Sequence, residues 1–201
     1  MRRYLIWCIG ALAAAFVVYE LVGRDAATVD LAADVKASTP DVYAEDVLFT
    51  QLRADGSLHY RLHAASIEQF NSPQQTYLKT PHLQLINPTQ PPWDITAEQG
   101  HIRQRKIAGG GIEDIVHLRD AVELVQQHAT MGNLTMRSNS FFIYPNRQFA
   151  ETSQDVMIIT NIGQTQAAGL SADLGSGLLK LTSNRQQRVR TTVMPNNFKK
   201  S

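Results

Sequence analysis

From Asp41 onward, apolar and polar residues alternate with period two, the spacing of strands that bury one face, and helical spacing is scarce. In Ser57-Leu58-His59-Tyr60-Arg61-Leu62-His63-Ala64, the residues Leu58, Tyr60, Leu62 and Ala64 share one face, while His59, Arg61 and His63 share the other. The alternation returns in Leu83 and Leu85, in Trp93, Ile95 and Ala97, in Val116 and Leu118, and in Val122 and Leu124. It continues through Phe141 and Ile143, Val156 and Ile158, Leu179 and Leu181, and Val189, Thr191 and Val193. Between these runs lie Asp55-Gly56, Asn71-Ser72-Pro73, Asn87-Pro88, Gly109-Gly110-Gly111, Pro145-Asn146 and Leu174-Gly175-Ser176-Gly177, all with turn chemistry. The pattern predicts a long antiparallel meander rolled into a curved sheet, dry on one face and wet on the other, with two unpaired edges.

A weak repetition runs through this region, in which a Thr/Ala pair leads to Gly or Asn and then to an alternating strand. Thr96-Ala97-Glu98-Gln99-Gly100, Thr135-Met136-Arg137-Ser138-Asn139 and Ala167-Ala168-Gly169 are its three instances. Their spacing, roughly 30 to 40 residues, is that of stacked supersecondary units.

The N-terminus breaks the pattern. Tyr4 to Val22 carries one charge, Glu20, and at 1.5 Å per residue reaches about 28 Å, enough to cross a bilayer core. Arg2 and Arg3 precede it and orient the rest of the chain away from the cytoplasm, so residues 4–22 are expected to anchor the chain in the inner membrane with its bulk in the periplasm. A cleaved signal peptide, with Ala13-Ala14-Ala15 as its processing site, is the competing reading, but apolar residues continue through Phe16, Val17, Val18 and Leu21. Residues 23–40 read as a polar tether ending at Pro40, residues 41–194 as the folded domain, and residues 195–201 as a basic tail.

Composition narrows the function classes. The chain of 201 residues has 19 Lys plus Arg against 18 Asp plus Glu, and setting aside Arg2, Arg3 and Glu20 leaves 17 of each. A neutral body lacks the basic footprint that phosphate neutralisation requires, which excludes nucleic acid. Cys8 stands alone within the apolar run, so no intramolecular disulfide or thiolate metal cage can form, and its context is not that of a lipoprotein.

Catalytic chemistry is sparse. His59 and His63 have metal-ligand spacing only on a helix; on a strand they stand roughly 13 Å apart. His82, His101, His117 and His128 lack a partnering motif, and Gly109-Gly110-Gly111 lacks the Lys and Ser or Thr of a phosphate-binding loop. Glu113, Asp114, Asp120 and Glu123 surround Val116 to Val122, and a carboxylate pair among them is the one route to a glycan-cleaving enzyme. Apolar binding material is plentiful by comparison: Phe49, Tyr60, Phe70, Tyr77, Leu78, Trp93, Phe141 and Phe142. The residues therefore point to a non-enzymatic chain without cofactor or metal.

Tyr43, Gly56-x-Leu-x-Tyr-x-Leu, Pro81, Trp93-x-Ile-x-Ala, Val122, Gly169-Leu170 and Val189-Arg190-Thr191, taken in order, resemble the LptC family, the membrane-anchored periplasmic component of the lipopolysaccharide transport machinery. The resemblance implies an all-β fold: a single twisted antiparallel β-jellyroll, open and LptA/OstA-like, preceded by one transmembrane helix. It implies a lipid relay serving outer membrane biogenesis, taking lipopolysaccharide from an inner-membrane ABC extractor to a soluble, LptA-like bridge jellyroll. Carried onto this chain, Val47, Leu62, Leu78, Leu83, Trp93, Phe141, Ile143, Leu179 and Val193 would line an acyl-chain groove. Tyr43, Val47 and Phe49 would face the extractor, and Gly169, Leu170, Leu181 and Val189 the bridge protein. The alternative is an anchored β scaffold that touches no lipid, its interior closed by its own side chains.

Overall fold

The computed structural model describes residues 39–71, 74–107, 111–128 and 132–194. Among these are fourteen strands, joined in one antiparallel sheet that folds over on itself. In chain order they are β1 (Val42–Leu52), β2 (Leu58–Asn71), β3 (Gln74–Lys79), β4 (His82–Leu85), β5 (Trp93–Thr96), β6 (Gln99–Lys106) and β7 (Ile112–His128). There follow β8 (Gly132–Tyr144), a short 3-10 turn at Pro145–Arg147, β9 (Phe149–Thr152), β10 (Val156–Thr160), β11 (Gly163–Ala167), β12 (Gly169–Asp173), β13 (Leu178–Thr182) and β14 (Arg190–Val193). The expected anchor at 4–22, the tether up to residue 38 and the basic tail from Pro195 lie outside the described residues. Among the described residues no helix is long and apolar enough to cross a membrane.

Pairing divides the sheet into two facing layers. The first half of β2 pairs with β4 and its second half with β3, while β7 pairs with β6 through Arg119 and with β5 from Glu123. β8 pairs β10 over its first half and β9 over its second. One layer therefore holds β4, β5, β10, β11 and β14, the other β3, β6, β9, β12 and β13, and the long strands β1, β2, β7 and β8 run through both.

Where these strands pass from layer to layer, the backbone turns a corner. Asp46, Thr80, Asp120 and Ala121 adopt positive φ along this line, and Asp120-Ala121 stand as a bulge opposite Asn139. Backbone bonds stitch the corner: Glu98 N–H donates to Asp120 O at 3.0 Å, Ala97 N–H to Pro81 O at 3.2 Å and Ala168 N–H to Thr182 O at 2.9 Å. All three segments of the weak repetition reach this corner, so that pattern marks the crossing of layers rather than stacked units.

The predicted alternation is realised from β2 to β13, but Val189, Thr191 and Val193 are all exposed, because β14 lies on β11 at the margin of the sheet and covers no core. Tyr60, Leu62, Leu83, Leu85, Trp93, Ile95, Val116, Leu118, Val122, Leu124, Phe141, Ile143, Val156 and Ile158 are buried in one core between the layers. Asp55-Gly56 forms the β1–β2 turn, with Gly56 at φ 83° and Asp55 Oδ1 accepting from Ser57 N–H at 2.9 Å. Gly177 likewise takes φ 74° in the β12–β13 turn.

Candidate functional site

The apolar interior does not end with the last core strand on either side. On β1, Val47 and Phe49 continue the inward face past β2, and the Phe49 ring lies 6.0 Å from that of Tyr60 while remaining 46% exposed. Leu48, one residue away and facing outward, is 65% exposed. On the far side, Leu179 and Leu181 of β13 pack against the core while only partly covered. Along β1 and along β13 the interior thus meets solvent beside a row of backbone groups that, among the described residues, no further strand pairs.

A third approach lies opposite the corner, where the hairpin ends of the two layers meet. Trp93 Nε1 of one layer donates to Leu174 O of the other at 3.0 Å. Asn87 Nδ2 donates to Gln148 Oε1 at 3.0 Å and to Gly175 O at 3.4 Å, and Gln148 Nε2 donates to Ile86 O at 3.1 Å. Arg53 also bonds to Ile86 O from the β1–β2 turn. Beside this polar latch is a cavity of about 660 Å³ lined by Pro91, Leu134, Ile162 and Gly177 among others, the size of a ligand pocket.

Burial governs the titratable groups near the interior. It pushes the Tyr60 hydroxyl up to about 12, with nearby Asp114 adding to the rise, so this phenol stays neutral at neutral pH. His59, whose ring lies 5.5 Å from that of Tyr60, is held below its ordinary value by burial first and by Arg53 second.

The expected groove residues fall into three groups. Leu62, Leu78, Leu83, Trp93, Phe141 and Ile143 lie deep in the packed core, Trp93 at 1% and Phe141 at 0% exposure. Val47 and Leu179 sit at its two open edges. Val193 is exposed on β14, which among the described residues pairs with β11 alone and carries no buried residue. Of the expected partner residues, Tyr43 and Phe49 are exposed on β1, Leu181 is on the edge strand β13, and Val189 is exposed just before β14. Gly169 and Leu170 are buried on β12, which is hydrogen-bonded to β9 on one side and β13 on the other, so unpaired backbone at that end belongs to β13.

The four carboxylates around Val116 to Val122 do not converge. Glu113 is clamped by Arg105 and Arg147, each at 2.6 Å, with Arg147 stacked 4.2 Å over the Tyr144 ring. Glu123 pairs with Arg137 at 2.8 Å, Asp114 accepts from Gln104 at 3.1 Å, and Asp120 belongs to the corner bulge. Among the described residues, no group of three His, Cys, Asp or Glu is placed to hold a metal ion.

The latch escapes sequence reasoning. Asn87-Pro88 reads only as a turn, and nothing in the sequence marks Gln148, which takes φ 48° immediately after the 3-10 turn.

A family model described as lipopolysaccharide-assembly, LptC-related, matches residues 10–192, which bears out the resemblance read from the motifs. No curated protein matches the chain. Among solved structures, the chain is similar to LptH of Pseudomonas aeruginosa, described as the LptA homologous periplasmic component of the conserved lipopolysaccharide transport device. The TM-score is 0.51 at 10% identity, over 68% of this chain and 95% of that one, a likeness of fold.

Proposed function

The chain belongs to the LptC-related family of lipopolysaccharide-assembly proteins, and on that premise we propose that it carries lipopolysaccharide by holding acyl chains between its two layers. The sugars stay outside. The N-terminal segment fixes the domain to the inner membrane, an ABC extractor delivers lipid on the β1 side, and a soluble LptA-like jellyroll receives it on the β13 side by strand addition. Tyr43, Val47 and Phe49 face the extractor, and Leu181 and Val189 the receiving protein. Gly169 and Leu170 act from the strand behind, by fixing β13 in place.

The observation that carries this reading is the pair of unsealed edges, where Val47 and Phe49 on one side and Leu179 and Leu181 on the other prolong the core into solvent. A bound chain lies along these margins and the latch cavity, above the floor set by Leu62, Leu78, Leu83, Trp93, Phe141 and Ile143. Burying a methylene is worth about 0.8 kcal/mol, so a dozen carbons contribute roughly 9 kcal/mol before the costs of binding. Shallow seating at an edge recovers only part of this, which keeps the lipid exchangeable.

The packed core is the specific observation that favours a second reading, an anchored scaffold that touches no lipid. Transfer separates the two. A photo-crosslinking residue at Leu179 gives a lipopolysaccharide adduct that fades when a soluble LptA-like jellyroll is added. An adduct that persists unchanged overturns the relay, and no adduct at either edge leaves the scaffold.

A further inference from the structure

The layer built from β3 and β6 carries a second concavity on its outward side, away from the interior. It measures about 590 Å³ and is lined by Tyr77 with Ser66, Glu68, Lys79, Glu98 and Gln99 among others. We propose that this pocket binds a neutral pyranose saccharide, with the Tyr77 ring as the platform under the sugar.

Tyr77 is held in a fixed pose. Its ring stacks on that of His101 at 4.7 Å and 8°, and Phe70 meets it edge-on at 5.8 Å and 80°. Its hydroxyl donates to Gln75 Oε1 at 2.6 Å. Even so, the residue is 40% exposed and lines the cavity, directly across the ladder from Glu68. His101 covers one face of the ring, and the exposed part that remains is the surface on which the C–H face of a pyranose ring would stack.

The rim supplies what sugar hydroxyls need, since each hydroxyl both donates and accepts. Glu68 and Glu98 accept, Ser66 does both, and Lys79, placed between Ser66 and Gln99 in the ladder, donates. Gln99 Oε1 accepts from Arg119 at 3.3 Å, which leaves its amide N–H groups to donate. Among the described residues, the side chains of Lys79 and Glu98 make no hydrogen bond or ion pair with another group. Two carboxylates and one ammonium line the pocket and the Arg119 guanidinium stands behind Gln99, so the charges balance with no net positive charge to hold phosphorylated or uronic sugars, and the pocket suits neutral hexoses or N-acetylhexosamines. Such rings occur in the glycan of a lipid cargo and in separate N-acetylated glycan strands. The pocket opens on the other face of the sheet from the acyl-chain site, and Leu78, which also lines it, is the residue the two share.

The full chain in detergent micelles, with ring carbons of Tyr and His labelled, would be titrated by NMR with maltotetraose, chitotetraose and tetragalacturonic acid. One or both neutral tetrasaccharides shift the Tyr77 and His101 ring signals saturably, and tetragalacturonate does not. Maltotetraose alone points to cargo hexoses, and chitotetraose alone to N-acetylated strands. Tyr77→Ala and Glu98→Ala each weaken the response about tenfold, whereas Tyr77→Phe keeps it. No saturable shift with either neutral sugar, an equal response to the uronate, or full binding by both alanine variants overturns the proposal. Lipid adducts at the β1 edge are unaffected by any of these variants.

Discussion

Asn87 donates its side-chain N–H to Gln148 Oε1 at 3.0 Å, a bond between residues 61 positions apart that ties the hairpin ends of the two layers together. Gln148 answers by donating to Ile86 O at 3.1 Å, so the two side chains close a small reciprocal clamp over the Trp93 to Leu174 bond. Neutral bonds of this kind are worth about 1 kcal/mol each, so the clamp contributes roughly 3 kcal/mol. It adds to the packed core, which itself holds the two layers together. A chain seated at an edge, gaining part of the roughly 9 kcal/mol of full burial, can offset the clamp without parting the core.

Shortening one arm of the clamp is therefore expected to favour loading at a modest loss of stability. Gln148→Asn tolerates the positive φ of this position but reaches neither partner. The variant should lose about 1–2 kcal/mol in urea unfolding and take up lipopolysaccharide faster than the parent chain. Unchanged uptake with the stability loss present would reduce the clamp to a structural role.

Phe141 is fully buried between the layers, and Phe141→Ala should cost about 3–5 kcal/mol. Chemical denaturation measures this directly. A loss below about 1 kcal/mol would mean that the layers are already parted in solution, because an open groove leaves little cavity to create.

Gly163 is where β11 lets β14 approach. A Cβ built there would stand 2.2 Å from Thr192 O, so Gly163→Ala must push β14 away. Because β14 buries nothing, thermal stability should barely change, while the amides of residues 190–193 lose their hydrogen-exchange protection. A large fall in Tm would show that β14 supports the core after all.

Acid should weaken the fold. His101 and His117 face each other across β6 and β7, each stacked on an aromatic neighbour, and burial holds both below the ordinary 6.5, with Arg103 and Arg119 adding to the effect. Below 6.5 the unfolded chain therefore binds more protons than the folded one, so stability falls as pH drops through 6.5 toward the depressed values and is level above it. Tm measured from about pH 7.5 to about pH 5 should decline, and less steeply in the His101→Gln, His117→Gln double variant. An identical slope in both proteins would place the acid sensitivity elsewhere.

Much of the architecture is written in residue spacing. Period-two runs such as Leu58 to Ala64 mark strands and their buried faces, and Asp55-Gly56 marks its turn, because both signals depend on a few adjacent residues. The corner is only half legible: the Thr/Ala segments hint at it, but Asp120-Ala121 shows no glycine where positive φ is needed, and Asp tolerance of that region is not a signal by itself. Assigning groove residues fails in a systematic way. Inward-facing residues of a closed core and of an open groove have the same alternation, so Trp93 and Phe49 look alike in sequence, yet one is sealed and the other lies at an edge. Which strand ends up outermost depends on long-range pairing, and this is why Gly169 and Leu170 sit one strand inside the β13 margin.

Whether lipid lies on the inward face of the sheet is decided at two adjacent residues of β1. Phe49 and Leu48 are both substantially exposed but point to opposite faces. A photo-crosslinking residue placed at each position in turn, irradiated with purified lipopolysaccharide, should give an adduct at Phe49 and little or none at Leu48. Equal adducts at both positions, or none at Phe49, would contradict acyl-chain binding between the layers.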